Sequence, residues 1–302
     1  MEKELCGVIL VNKHKGVTSH DIVFKIRRLF GTKKVGHTGT LDPLATGVLP
    51  VLVGRAAKAA EYLLSENKRY IAKLRLGITT DTEDITGEIL SKSDTLPTKN
   101  DFFEACTHFV GSIKQVPPMY SALKVNGQKL VDLARQGIEV ERQARDIFIS
   151  SIVPRAIDEN KGLYELDVAC SKGTYIRTLC ADIGAFLGCG ATMTELQRTQ
   201  SGSFTIENAY SISELEAMEP QNRINLLMPV ESLFEEAPAV TLPEFYTRLC
   251  RSGCEIYQKK IGTSFNEGEF VRICDKNGFF ALGQIKSYPD GSAIKAIKLF
   301  VL

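Results

Sequence analysis

No stretch of about 20 apolar residues occurs in the chain, so no helix is expected to span a membrane. The opening residues, MEKELCGVILVNK, lack the basic start, long apolar run and small-residue cleavage site of an export signal. There is no GxxxxGK[ST] phosphate loop, no internal repeat and no low-complexity tract. Histidines number only four, and none stands near Cys250 and Cys254, whose CxxxC spacing would need two further ligands to hold zinc. The eight cysteines are scattered, several inside apolar runs such as LDVACS and IRTLCADI, as expected of buried thiols in a reducing compartment. The expectation is a cytoplasmic protein with no metal, no nucleotide and no redox cofactor.

What is present is an ordinary soluble composition. The 302 residues are 44% hydrophobic and 24% charged, enough for one large or two smaller domains. The net charge of +1 hides an asymmetry. Residues 1–75 hold 14 Lys/Arg against 6 Asp/Glu, a net of +8, while residues 201–240 hold one Arg against 7 Glu, a net of −6. A basic N-terminal region suits a polyanionic partner, although charge alone also fits a solvated face.

Residues 7–12, GVILVN, read as a buried strand. Thr18 or Ser19 caps a helix running to about Phe30, with Val23, Ile26 and Phe30 on one face and Gly31 as its stop. Residues 32–50, rich in Gly, Thr and Pro, read as a long loop, a length usually kept for function. Helical spacing returns at 55–64 and at 100–111. Residues 69–76 and 162–170 alternate as strands. Thr174 is expected to cap a helix to Leu187. From Pro238 onward short strand-like runs and an Asn277-Gly278 turn predict a small β-rich domain, giving boundaries of 1–238 and 239–302.

The most informative segment is 36–50, GHTGTLDPLATGVLP: three glycines, three threonines and two prolines around one aspartate. Such a loop can hold a carboxylate in a fixed pose. Local physics alone gives an ordinary turn at Asp42 about even odds. The segment closely resembles the catalytic loop of the tRNA pseudouridine-55 synthases, the TruB family. KRY (68–70), TDTEDITGE (80–88), PPMYSALKVNGQKL (117–130), SKGTYIRTL (171–179) and LQRTQSGSF (196–204) resemble further family segments, in family order. Val131 departs from the pattern, where an aromatic is expected.

The resemblance implies an α+β fold, with a mixed, largely antiparallel sheet, flanking helices and a C-terminal PUA-like RNA-binding module. It implies isomerisation of the T-loop uridine of tRNA by a monomer, with no cofactor. Asp42 is implied to be the essential carboxylate, Arg177 its ion-pair partner, and Tyr70 the ring that stacks on the uracil and helps remove its C5 proton. Leu196 is implied to pack on the other side of the base, and Tyr175 either to support Arg177 or to line the pocket. His37 is implied to fill the space left by a flipped base. Lys13 and Lys68 are expected to contact RNA, with Lys15, Lys33, Lys34, Lys58 and Arg69. Asp81, Glu83 and Asp84 do not fit a cation loop and read as a hydrogen-bonded turn. Three other readings are weighed: a guide-RNA-dependent synthase, a tRNA-folding chaperone without catalysis, and a glycoside hydrolase. The last wants a second carboxylate that no matching loop supplies.

Overall fold

The computed structural model describes residues 5–62 and 67–301. In chain order its strands are β1 (Cys6–Lys13), β2 (Val35–His37), β3 (Thr46–Gly54), β4 (Lys68–Leu76), β5 (Ile78–Thr80), β6 (Ile89–Lys92), β7 (Gly111–Gln115), β8 (Lys124–Val125), β9 (Gln128–Lys129), β10 (Arg145–Asp158), β11 (Leu163–Cys170), β12 (Ala191–Ser201) and β13 (Phe204–Thr205). A C-terminal set follows: β14 (Ala239–Thr241), β15 (Ile256–Tyr257), β16 (Phe270–Asp275), β17 (Gly278–Tyr288) and β18 (Gly291–Leu299). The helices that matter for the site are α1 (Ser19–Leu29), α2 (Lys99–His108), α3 (Leu130–Ala134) and α4 (Ile176–Phe186).

The large sheet runs β1-β3-β12-β4-β11-β10-β7, with β2 on β3 and β13 on β12. Its pairings are antiparallel except β3 with β12, which is parallel. This is the mixed, largely antiparallel α+β architecture expected. Alternation decides which side chains go inward. On β4, Tyr70, Ala72, Leu74 and Leu76 are buried, and on β11 Tyr164, Leu166, Val168 and Cys170. This face packs on α1, α2 and α4, with Phe102 of α2 stacked on Tyr164 at 4.0 Å between ring centroids. The opposite apolar residues of β1 and β3, among them Val8, Leu10, Val48 and Leu52, join Leu282 of β17 and Phe300, just past β18, in one cluster. Ion pairs Arg272–Glu231 at 2.9 Å and Lys298–Glu61 at 2.6 Å cross the same junction.

The structure corrects four local expectations. The 32–50 loop is shorter, because β2 and the first half of β3 lie within it. Pro50 is tolerated inside β3 because its carbonyl, facing β2, receives the Thr38 N–H at 3.2 Å. Its missing donor faces that same edge, just past the last β2 pair, His37 with Val51. The 55–64 helix is a 3₁₀ turn over Arg55–Tyr62, and residues 63 and 64 lie outside the described residues. At the C-terminal hairpin Lys276 and Asn277 are the central residues, and Gly278 takes φ +106° as the first strand residue. The Asn-Gly pair that does form a two-residue hairpin is Asn126-Gly127, with φ +51° and +83°, between β8 and β9. Finally, α4 is not capped by Thr174, whose hydroxyl donates to Ser171 O at 3.0 Å. Its N-cap is Tyr175, and a buried glutamine does the capping: Gln115 Oε1 accepts from Tyr175 N at 2.8 Å, and Gln115 Nε2 donates to Tyr175 O at 3.1 Å.

Candidate active site

A cavity of about 520 Å³ opens where the 38–45 loop, the ends of β4 and β12, the start of α4 and residues 121–123 meet. Asp42 stands in that loop. Ser19 of α1 anchors the residue before it, accepting from Leu41 N at 2.8 Å and donating to Leu41 O at 3.1 Å. Pro43 O accepts from Gly16 N at 2.8 Å, and Asp42 O from Ala45 N at 3.0 Å. Leu41, Leu44 and Ala45 are buried beneath. The loop is therefore pinned on its apolar side, and the Asp42 carboxylate, 39% exposed, is left on the cavity side.

Arg177 comes from the first turn of α4 and is 4% exposed. Its Nε lies 2.9 Å from Asp42 Oδ2. Nη1 donates to Thr82 O and Nη2 to Tyr120 O, both at 2.8 Å. Asp84 Oδ2 lies 3.8 Å from Nη1. Every edge of the guanidinium is thus occupied, and one edge is given to Asp42 in a charge-assisted contact that fixes the carboxylate's direction.

The 80–88 turn is hydrogen-bonded throughout. Asp81 Oδ1 accepts from Glu88 N at 2.7 Å, and Asp84 Oδ1 accepts from Thr86 N at 2.9 Å and from Thr82 Oγ1 at 3.0 Å. Its further use, as the cradle for Arg177, is invisible in the sequence because the two are about 95 residues apart. Glu83 sits at φ +63°, and its Oε2 accepts from Thr178 Oγ1 at 2.5 Å. Burial raises the Glu83 carboxyl above its usual range.

Tyr70, Leu196, Tyr175 and Lys68 all line the cavity with Asp42 and Arg177. Tyr70 is 7% exposed, and burial pushes its phenol up. Burial likewise raises Tyr175. His37 is not in the cavity wall; it is the last residue of β2, and its Nδ1 accepts from Gly39 N at 3.2 Å. Burial and then the charge of Arg198 lower its imidazole pKa.

Lys13 is a correction. It is fully buried, and its Nζ donates to Val17 O at 2.7 Å and His14 O at 3.1 Å. It braces the chain below the Asp42 loop and has no surface from which to reach a phosphate. Burial lowers its pKa to about 8, against the pull of Asp42.

Two positions that build the site escape sequence reasoning. Gln115 carried no signal. Arg198 carried a faint one: it follows Leu196 by two in a strand, so it shares the inward face. It is 1% exposed, lines the cavity, and donates from Nε to Val48 O at 2.9 Å and from Nη2 to Gly39 O at 3.3 Å.

Among the described residues no group of three or more His, Cys, Asp or Glu gathers as a metal site, and no helix is long and apolar enough to cross a membrane. The chemistry this arrangement offers is a fixed, ion-paired carboxylate beside a buried phenol, in a cavity large enough for a nucleoside.

Comparison with known proteins agrees. Residues 27–176 match the model of the TruB family pseudouridylate synthase N-terminal domain, and residues 177–235 that of the tRNA pseudouridylate synthase B C-terminal domain. The chain is 45% identical over 300 residues to tRNA pseudouridine synthase B of Clostridium perfringens (strain 13 / Type A), covering 98% of this chain and 99% of that protein. It is 47% identical over 234 residues to the protein of the same name from Listeria welshimeri, covering 76% and 77%. Among solved structures, a Cbf5-Nop10-Gar1 complex contains a similar chain at 27% identity and TM-score 0.74, covering 98% of this chain and 85% of that one.

Proposed function

The chain belongs to the TruB family of pseudouridylate synthases, and we propose that its site isomerises the T-loop uridine of tRNA, U55, with Asp42 as the working carboxylate. The observation that carries the reading is the 2.9 Å pairing of Asp42 with a buried, fully bonded Arg177 at the wall of the cavity.

The reaction breaks the N1–C1′ bond, turns the base, and rejoins it through C5. Breaking the glycosidic bond leaves electron demand at C1′, and Asp42 meets it with negative charge. Arg177 holds that carboxylate aimed, so no reorganisation is needed as charge develops. Tyr70 stacks on the uracil, and Leu196 packs against it. A stacked base cannot turn on its own sugar, so the uridine must leave the helix stack, with His37 taking up space it vacates. Substrate and product have the same atoms and the same oxidation state, which supports a reaction without metal or cofactor. Lys68 contributes to RNA contact at the rim. We assign residues 1–238 to catalysis and 239–302 to a PUA-like RNA-binding module, in a cytoplasmic monomer.

The solved relatives with the same fold include one described as an H/ACA RNP bound to a substrate RNA, at 25% identity and TM-score 0.73. The 45% identity to tRNA synthases over almost the whole chain favours the stand-alone tRNA enzyme. A hydrolase is disfavoured, since Asp84, the carboxylate that shares Arg177 with Asp42, is turned to Arg177 and the 80–88 turn.

The test is to incubate an unmodified tRNA transcript with the protein, or with Asp42→Asn, and to map pseudouridine. Conversion of the T-loop uridine by the wild type alone is expected. A folded wild type that converts nothing would sink the reading.

A further inference from the structure

We propose that Arg198 is a positioning residue for proton removal, fixing the Tyr70 hydroxyl at the cavity wall so that it receives the C5 proton of the rearranged uracil. The inference rests on the function assigned above and adds a residue to which that reading gives no part.

Arg198 and Tyr70 are direct partners across the β12–β4 ladder, and both point into the cavity wall. Arg198 is more deeply buried than Arg177, yet its bonding is different in kind. Arg177 is matched by two carboxylates. Arg198 is held by two backbone carbonyls, Val48 O of β3 and Gly39 O of the Asp42 loop, and no carboxylate pairs with it among the described residues. A desolvated cation with only neutral partners is costly to keep, and a well-packed apolar residue would serve a purely structural wall better. The group that uses its charge is the phenol opposite. Arg198 is the ladder partner of Tyr70 on the same inward face, and its charge is the strongest influence opposing the effect of burial on that phenol.

The other groups facing Tyr70 are Cys170 of β11 and Asp42, and behind Arg198 lie Lys13 of β1 and His37 of β2. Asp42 and Cys170 both disfavour a phenolate, so Arg198 is the one neighbour that favours it.

The step balances as follows. Once C5 is bonded to C1′, the C5–H bond breaks and its electron pair forms C5=C6. The C6=N1 pair moves onto N1, which takes a proton from water. The C5 proton goes to the Tyr70 oxygen as that hydroxyl gives its own proton to water, so the phenol ends the step as it began. Without the guanidinium, no neighbour offsets the effect of burial on the phenol, and its oxygen is less suited to accept a proton.

The experiment uses the full chain and a tRNA transcript carrying protium or deuterium at C5 of the target uridine. Single-turnover rates and tRNA affinities are measured for the wild type, Arg198→Met and Arg198→Lys. In parallel, 3-fluorotyrosine is placed at position 70 and titrated by fluorine NMR with and without Arg198→Met. The expected result for Arg198→Met is a rate about 10²-fold lower with affinity retained, a larger deuterium effect than the wild type shows, and a fluorophenol that titrates at higher pH. Arg198→Lys, which keeps the charge and folds more safely, recovers part of the rate. Equal deuterium effects in all three proteins, or a fluorophenol unmoved by the substitution, overturn the proposal and leave Arg198 as a brace for the loop. A wild type that makes no pseudouridine overturns the function itself; an active wild type matched by Arg198→Met overturns this inference alone.

Discussion

The cations beneath the cavity and the cations around its mouth obey different rules. Arg177, Arg198 and Lys13 are all under 5% exposed, and each is bonded to backbone carbonyls of segments distant from it or from the loop it supports. At the edge of the same cavity Lys172 is exposed, while Lys68 is half-buried. A desolvated cation must satisfy its donors within the protein, so its position is dictated and dissolved salt barely reaches it. A hydrated one is free to follow a phosphate and is screened by salt. Position in the fold, not charge, separates the machinery that aims Asp42 from the surface that holds RNA. The largest effects of mutation therefore belong to the floor.

Arg177→Met is expected to have the largest effect. It leaves the carbonyls of Thr82 and Tyr120 without their donor, takes the cation from beside Asp84 and frees Asp42 to rotate. Removing one partner of a buried ion pair costs about 3–5 kcal/mol of stability, and loss of the aimed carboxylate lowers the single-turnover rate by about 10³-fold or more. Arg177→Lys sharpens the point: it keeps the charge but not the planar fork, so a rate close to wild type would show that charge alone suffices and would break the account of the floor.

Lys13 gives a smaller effect with a distinctive pH signature. Its folded pKa is lowered to about 8, so above that pH the unfolded chain binds more protons than the folded one. By linkage, stability from this group rises as pH climbs from about 8 toward the ordinary lysine range, and the burial penalty is fully present below that window. Lys13→Met is expected to remove this slope. Thermal melts of both proteins through the window test it: parallel curves would mean that Lys13 keeps an ordinary pKa and is not desolvated.

The sequence carried the outline of this site better than its support. Asp42, Tyr70, Arg177 and Leu196 sit in motifs whose family resemblance names them, and alternation along β4 fixed which face Tyr70 takes. Local rules also held where the cause was local: Thr18 caps α1 in a box with Asp21. They failed where the cause was distant. The cap of α4 is Gln115, 60 residues away in sequence, so the nearby Thr174 was the natural but wrong choice. Pro50 and the loop glycines argued against a strand, while the ladder with β1 overrode them. Lys13 counted toward the basic N-terminal region although its ammonium faces inward, because composition cannot tell a brace from a contact.

The rim supplies the smallest effect and the cleanest contrast. Lys172 is exposed in the turn before α4 and borders the cavity. If it meets a phosphate, Lys172→Gln weakens tRNA binding a few-fold and lowers the slope of log affinity against log salt by about 0.7–0.9, the contribution of one released counterion. The rate at saturating enzyme stays near wild type, since nothing that aims Asp42 has moved. Arg177→Met should behave in the opposite way, losing rate while its salt slope stays where the wild type has it. Measuring both slopes under one set of conditions decides the matter: a lower slope for Arg177→Met, or an unaltered one for Lys172→Gln, would mean that burial does not divide the two sets of cations and that the RNA backbone reaches the floor.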